Sequence, residues 1–179
     1  MRKIILSIAA LGLLAPSGVN ASEYIEKYIP QAEKVGEGRL TYLFWDVYDA
    51  ALFAPQGTWQ GEQPYALKLS YLMDIEGYKI ADRSAEEMRN QKLANEVELA
   101  TWHNQMKRIF PDVTEGTTIT GVYTQNGDSV FYKNGSEIGR IQDRNFSEAF
   151  FGIWLNKQTS SPDLRRKLLG NAPSKIAQN

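Results

Sequence analysis

A single histidine, His103, and the complete absence of cysteine set narrow limits on the chemistry open to this chain. A histidine-based metal cage or a Ser-His-Asp triad would have to rest on that one ring. No cysteine or clustered carboxylate accompanies it, so His103, beside Trp102 on a helical stripe, reads as a partly buried structural residue. Glu86, Glu87, Glu96 and Glu98 fall in helical sequence, where such charges usually form a solvated face. Gly36-Glu37-Gly38 lacks the third glycine of a dinucleotide fingerprint and precedes a strand, and no P-loop lysine occurs. Neither a cofactor nor a metal is expected.

A different pattern stands out at residues 39–71, where Tyr42, Trp45, Tyr48 and Tyr71 coexist with Arg39, Thr41 and Lys68. Aromatic walls with a few polar anchors describe a pocket for an apolar ligand. The same rings would equally serve a sheet–helix core with tyrosine hydroxyls at its rim. Both readings stand at this level.

Periodicity defines the elements that must position these residues. Arg39 to Phe53 is rich in aromatic and β-branched residues and ends at Pro55 and Gly57, which predicts one long strand after a polar lead-in, apolar on both faces and covered on both. Tyr65 to Ile75 alternates as a second strand, joined to the first by a hairpin across Pro55 to Pro64. Ser84 with Glu87 has capping-box spacing and opens a helical block. Leu99, Trp102, Met106 and Ile109 then form one helical stripe, which Pro111 ends. From Thr117 to Ile141 a three-stranded meander turns at Asn126-Gly127 and Asn134-Gly135. Asn145 is placed to cap a helix facing inward with Phe146, Ala149, Phe150, Ile153 and Trp154, and Ser161-Pro162 opens a last short helix ending at Gly170. Blocks of strands and helices in the order β-β-α-α-β-β-β-α-α predict an α+β fold.

Met1, Arg2 and Lys3 followed by apolar Ile4 to Leu14 and by Val19-Asn20-Ala21 have the three-part pattern of a secretory signal peptide over residues 1–21. Pro16, Ser17 and Gly18 cut the apolar run short of the about 20 residues a bilayer core requires. Cleavage after Ala21 would leave one domain over residues 22–170 and a loose tail over 171–179, in the periplasm or outside the cell, with no integral membrane segment. Loss of Arg2 and Lys3 would take the formal charge from −1 to −3. That mild acidity argues against nucleic acid or an anionic membrane as partner.

The stretch Gly135-Ser-Glu-Ile-Gly139-Arg-Ile141, then Asn145-Phe-Ser-Glu-Ala-Phe-Phe-Gly-Ile-Trp-Leu155, then Ser160-Ser-Pro-Asp-Leu-Arg-Arg-Lys-Leu-Leu-Gly170 resembles the ending of the chalcone isomerase-like family, in its bacterial branch. Gly38 to Phe53 resembles that family's opening strand, and Ala66 to Ile75 with the Ser84 helix resembles its next strand and helix. The resemblance implies an open-faced β-sandwich, an antiparallel sheet with helices layered on one face and a ligand cleft between. It also implies one of two activities, cyclisation of chalcones or non-catalytic binding of fatty acids. The cyclising members use an arginine before the first long strand, a threonine within it, and a tyrosine and an asparagine near the first helix. Here Tyr48 stands where the threonine would, Arg39 lies a few residues from the expected register, and Ile153 occupies a hydroxyl-bearing position. The expectation is therefore an exported, non-catalytic binding protein for a fatty acid or similar apolar carboxylate. Arg39 or Lys68 would hold the anion, and Tyr42, Tyr48, Tyr71 and Trp154 would form the walls. The alternatives are an intramolecular lyase or isomerase of an enone or phenolic substrate, with Arg39 stabilising an oxyanion, and a ligand-free accessory protein.

Overall fold

Asn-Gly steps tolerate the positive φ that tight hairpins need, and both of those in this chain are turns. A computed structural model describes residues 23–170; the leader expected at 1–21 and the tail at 171–179 lie outside the described residues. β4 (Thr118–Tyr123), β5 (Ser129–Lys133) and β6 (Ser136–Ile141) pair antiparallel as the expected meander. Gly127 and Gly135 close its turns at φ 95° and 84°.

The run from Arg39 to Phe53 does not form one strand. β1 (Ala32–Tyr42) and β2 (Trp45–Pro55) form a hairpin in which Tyr42 faces Trp45 and Leu43-Phe44 make the turn. No glycine, asparagine or proline marks that turn, so its apolar residues read as continuing strand. The first half of β1 reads as a polar lead-in because it is the sheet's edge strand. It is held by α5 (Pro162–Leu168): a Cβ on Gly36 would lie 2.2 Å from the Lys167 carbonyl oxygen, so glycine alone admits the approach. β3 (Tyr65–Tyr71) pairs with β2 across the expected hairpin but stops short of Ile75, which forms a separate bridge to Val113. The described strands make one six-stranded antiparallel sheet in sequence order.

α2 (Gly77–Asn90), α3 (Glu96–Ile109), α4 (Arg144–Leu155) and α5 cover one face, burying Leu52, Leu67 and Phe131 of the sheet among their apolar stripes. The opposite face is only partly covered. There α1 (Glu23–Glu26) and the residues after it lay Ile25 and Ile29 on Phe53, Ala66, Val122 and Val130. The architecture is thus the expected α+β open-faced sandwich with its helices on one side. No helix among the described residues is long and apolar enough to cross a membrane.

Two helix starts differ from the sequence reading. α2 begins at Gly77, two turns before Ser84, and Ser84 sits buried mid-helix with its hydroxyl donating to the Ile80 carbonyl at 2.8 Å. What fixes that start is a close approach, since a Cβ on Gly77 would stand 2.2 Å from the Phe110 carbonyl oxygen, and the Gly77 N–H donates to Asp112 Oδ1 at 2.8 Å. α2 is therefore wedged against the end of α3. The capping box lies instead at Asn95, whose side chain accepts from the Val97 and Glu98 N–H groups at 3.0 Å while Glu98 accepts from the Asn95 N–H at 3.0 Å. α4 is capped by Asp143 rather than Asn145, its carboxylate accepting from Asn145 N–H at 2.9 Å and Phe146 N–H at 3.2 Å.

These assignments make opposite forecasts for two alanine variants in urea denaturation. Asn95→Ala removes the side-chain acceptor of the Val97 and Glu98 N–H groups, leaving only the Asn95 N–H bond to Glu98, and is expected to lower stability by about 1 kcal/mol. Ser84→Ala removes only a redundant bond to a carbonyl inside the helix and should cost less than about 0.5 kcal/mol. The reverse order would show that the helix starts at Ser84.

Candidate functional site

The helices do not lie flat on the sheet everywhere. Between β2, β3 and β4 below and α2, α4 and the start of α5 above is a cavity of about 580 Å³, within the range of small-molecule sites. Alternation on the strands turns Tyr48, Leu69, Tyr71 and Ile119 into it, and the inward stripe of α4 adds Phe150, Ile153 and Trp154. These walls are apolar. The charged groups come from one face of α2, where Lys79, Arg83 and Glu87 recur at intervals of four, and hydroxyls come from Thr41, Ser84, Ser160 and Ser161.

Glu87 is the buried charge of the site, its side chain only 6% exposed. It accepts hydrogen bonds from Arg83 Nη2 and from Ser160 Oγ, the latter at 2.9 Å. A buried carboxylate is tolerated when it is paired and bonded in this way. Arg83 also reaches Glu86 at 2.8 Å, and with five N–H donors it retains three for another acceptor. Lys79 is ion-paired with Glu76, whose hydrogen bond holds the ammonium above its ordinary pKa.

At the sheet side the Trp154 indole N–H donates to the Tyr48 hydroxyl at 2.9 Å. Burial pushes the Tyr48 pKa up to about 12 against the opposing effect of that bond. The Tyr71 ring stands edge-on to Tyr48 at 5.8 Å, and burial likewise raises its hydroxyl pKa. Both phenols are thus neutral donors at physiological pH, not bases.

Of the residues singled out from sequence, Tyr42, Tyr48, Tyr71 and Trp154 line this cavity, and Arg39 and Lys68 are absent from its lining. Arg39 lies on β1 with its side chain 48% exposed, donating to Asp49 at 2.7 and 2.9 Å and to Asp46 at 2.9 Å. It is committed to two aspartates. The isomerase alternative thereby loses the cation it assigned to an oxyanion. Lys68 alternates with Leu67 and Leu69, which pack under the helices, so its side chain leaves the other face of the sheet. His103, 28% exposed, meets Asp82 at 2.6 Å and joins α3 to α2 away from the lining. Among the described residues no group of three or more His, Cys, Asp or Glu side chains could hold a metal ion.

Sequence reasoning missed Lys79, Arg83 and Ser160, and it set Glu87 on a solvated face although its side chain is buried. The signal for the three charged residues was their i, i+4, i+8 row on α2, and starting that helix at Ser84 hid the first two members.

A model of the family described as chalcone isomerase-like matches residues 35–170. An uncharacterized protein of Haemophilus influenzae is 29% identical over 143 residues, covering 79% of this chain and 70% of that protein. Among solved structures, a fatty-acid binding protein of Arabidopsis thaliana superposes with a TM-score of 0.61 at 12% identity, over 79% of this chain and 88% of the other, a likeness of fold. The match runs from the bulged edge strand to the last helix, through every element that walls the cavity, and the chain belongs to the chalcone isomerase-like family.

Proposed function

We propose that this is an exported binding protein for a fatty acid or a similar apolar carboxylate, held in the cavity between sheet and helices. One observation carries the reading: a cavity of about 580 Å³ whose body is aliphatic and aromatic and whose polar rim presents Arg83 and Lys79. Apolar surface removed from water drives the tail in, and the arginine fork receives the head. The reading moves the anion site from Arg39 and Lys68 to Arg83, with Lys79 as second cation. Tyr48 and Tyr71 serve as neutral wall and donor groups, and Tyr42 and Trp154 as walls. The fatty-acid binding protein of Arabidopsis thaliana with the same fold lends support by likeness alone. Export rests on the pattern of residues 1–21 and places the protein in the periplasm or outside the cell.

Glu87 sharpens the chemistry. A carboxylate buried beside the anion site favours a ligand head that binds Arg83 from the solvent side, leaving the Arg83–Glu87 pair intact. The head is therefore half-screened, and a large electrostatic contribution is not expected.

Arg83→Met keeps apolar bulk and removes the guanidinium, so dodecanoate affinity by calorimetry should fall about tenfold, while dodecanol, which lacks the charge, binds as before. Equal loss for both ligands would mean a damaged cavity, and no loss for either would move the anion site elsewhere. Independently, intact mass of the exported protein is expected to place the mature N-terminus at Ser22, whereas Met1 retained in a membrane fraction would show an anchor.

A further inference from the structure

The β1–β2 hairpin carries an apolar tip beyond the end of the sheet. Tyr42, Leu43, Phe44 and Trp45 are 62%, 74%, 95% and 69% exposed. Single exposed apolar residues are ordinary, but four in succession are not. The turn itself breaks a second rule. Two-residue hairpin loops with positive φ favour glycine or asparagine, yet Leu43 holds φ 55°. Backbone strain and apolar exposure at one point mark a place shaped by an external contact.

We propose that this tip is a wedge that enters the headgroup region of a lipid bilayer and sets the cavity mouth against it. The wedge stands on the tip alone, and its use in taking ligand from the bilayer rests on the fatty-acid reading of the cavity. Leu43 and Phe44 form the apex, and one step back Tyr42 and Trp45 face each other across the strands. Below them comes a polar collar, Thr41 Oγ1 donating to Asp46 at 2.7 Å and Arg39 bridging Asp46 and Asp49. Apolar apex, amphipathic aromatic belt and charged collar reproduce in order the gradient from acyl chains to water. The collar also limits depth, because its charges resist entry.

Continuity with the cavity ties the wedge to ligand traffic. Leu40, Thr41 and Tyr42 line the cavity on their way to the tip, and Lys79 lines the same mouth. Tyr78, half exposed, lies 5.7 Å beneath the Lys79 ammonium and gives the rim another interfacial ring. Two aspartates to one arginine in the collar, in a chain of net charge −1, select a zwitterionic surface rather than an anionic one. A second copy or a protein partner fits less well, since four residues fall far short of the roughly 20 a side in a stable protein interface.

The test is flotation of the whole protein with phosphatidylcholine vesicles, beside a variant carrying Leu43→Gly, Phe44→Ser and Trp45→Thr. Glycine relaxes the turn, so the variant keeps its fold by circular dichroism, and dodecanoate affinity in free solution stays that of the parent. The parent is expected to float and the variant to lose at least about tenfold in vesicle binding. Transfer of fatty acid from vesicles to the variant slows in proportion. A parent that stays in solution, or a variant that floats equally, overturns the wedge. So does a parent that dimerises through the tip, with the variant monomeric. Flotation of a parent that binds no dodecanoate keeps the wedge and removes the fatty-acid reading.

Discussion

The aromatic row of α4 sets the spacing on which the cavity depends. Phe146, Phe150 and Trp154 recur every four residues with ring centroids 5.4 Å apart at each step, and Phe150 and Phe146 pack on Phe131 of the sheet. Rigid rings in edge and offset contact keep the helix layer at a fixed height. At the row's end Trp154 meets the Tyr48 hydroxyl, a buried bond whose loss would leave an indole N–H unsatisfied. The last turn of α4 is tied down as well, since Gln91 Nε2 and Thr159 Oγ1 both donate to the Ile153 carbonyl at 3.1 and 2.7 Å. That carbonyl is one of the unpaired acceptors of a helix end. Beyond this pillar the layers separate, and the cavity is the space that opens.

Charge in the site is arranged around the same geometry. α2 is wedged by Gly77 against the end of α3, so its charged row has little freedom to shift. Glu87 holds Arg83 on one side and Ser160 on the other, linking α2 to the start of α5 across the cavity roof. A buried carboxylate thus orients an exposed guanidinium. Arg39 shows the contrasting case, a cation outside the cavity that spends three of its N–H donors on Asp46 and Asp49 and serves to fasten a hairpin.

Much of this is legible in the sequence, for identifiable reasons. The meander is readable because Asn126-Gly127 and Asn134-Gly135 carry the turn chemistry their φ values demand. The inward stripe of α4, and with it Trp154, emerges from its period of four. The β1–β2 turn is not readable, because Leu43 and Phe44 carry none of the usual turn residues. Without that turn a hairpin looks like one strand, and Arg39 is drawn toward the cavity. The start of α2 is hidden because tertiary contact at Gly77, not a side-chain cap, begins the helix. Lys68 of β3 looks like an anchor because one strand alone does not say which face the helices cover.

A crystal structure of the protein with dodecanoate bears most directly on this account. It should show the carboxylate about 3 Å from the Arg83 guanidinium and the chain running past Ile80 toward Phe150 and Leu69, with the Trp154–Tyr48 bond unbroken. A ligand lying with its head against Tyr71 and its tail in solvent, or bound at Arg39 or Lys68 outside the cavity, would contradict it.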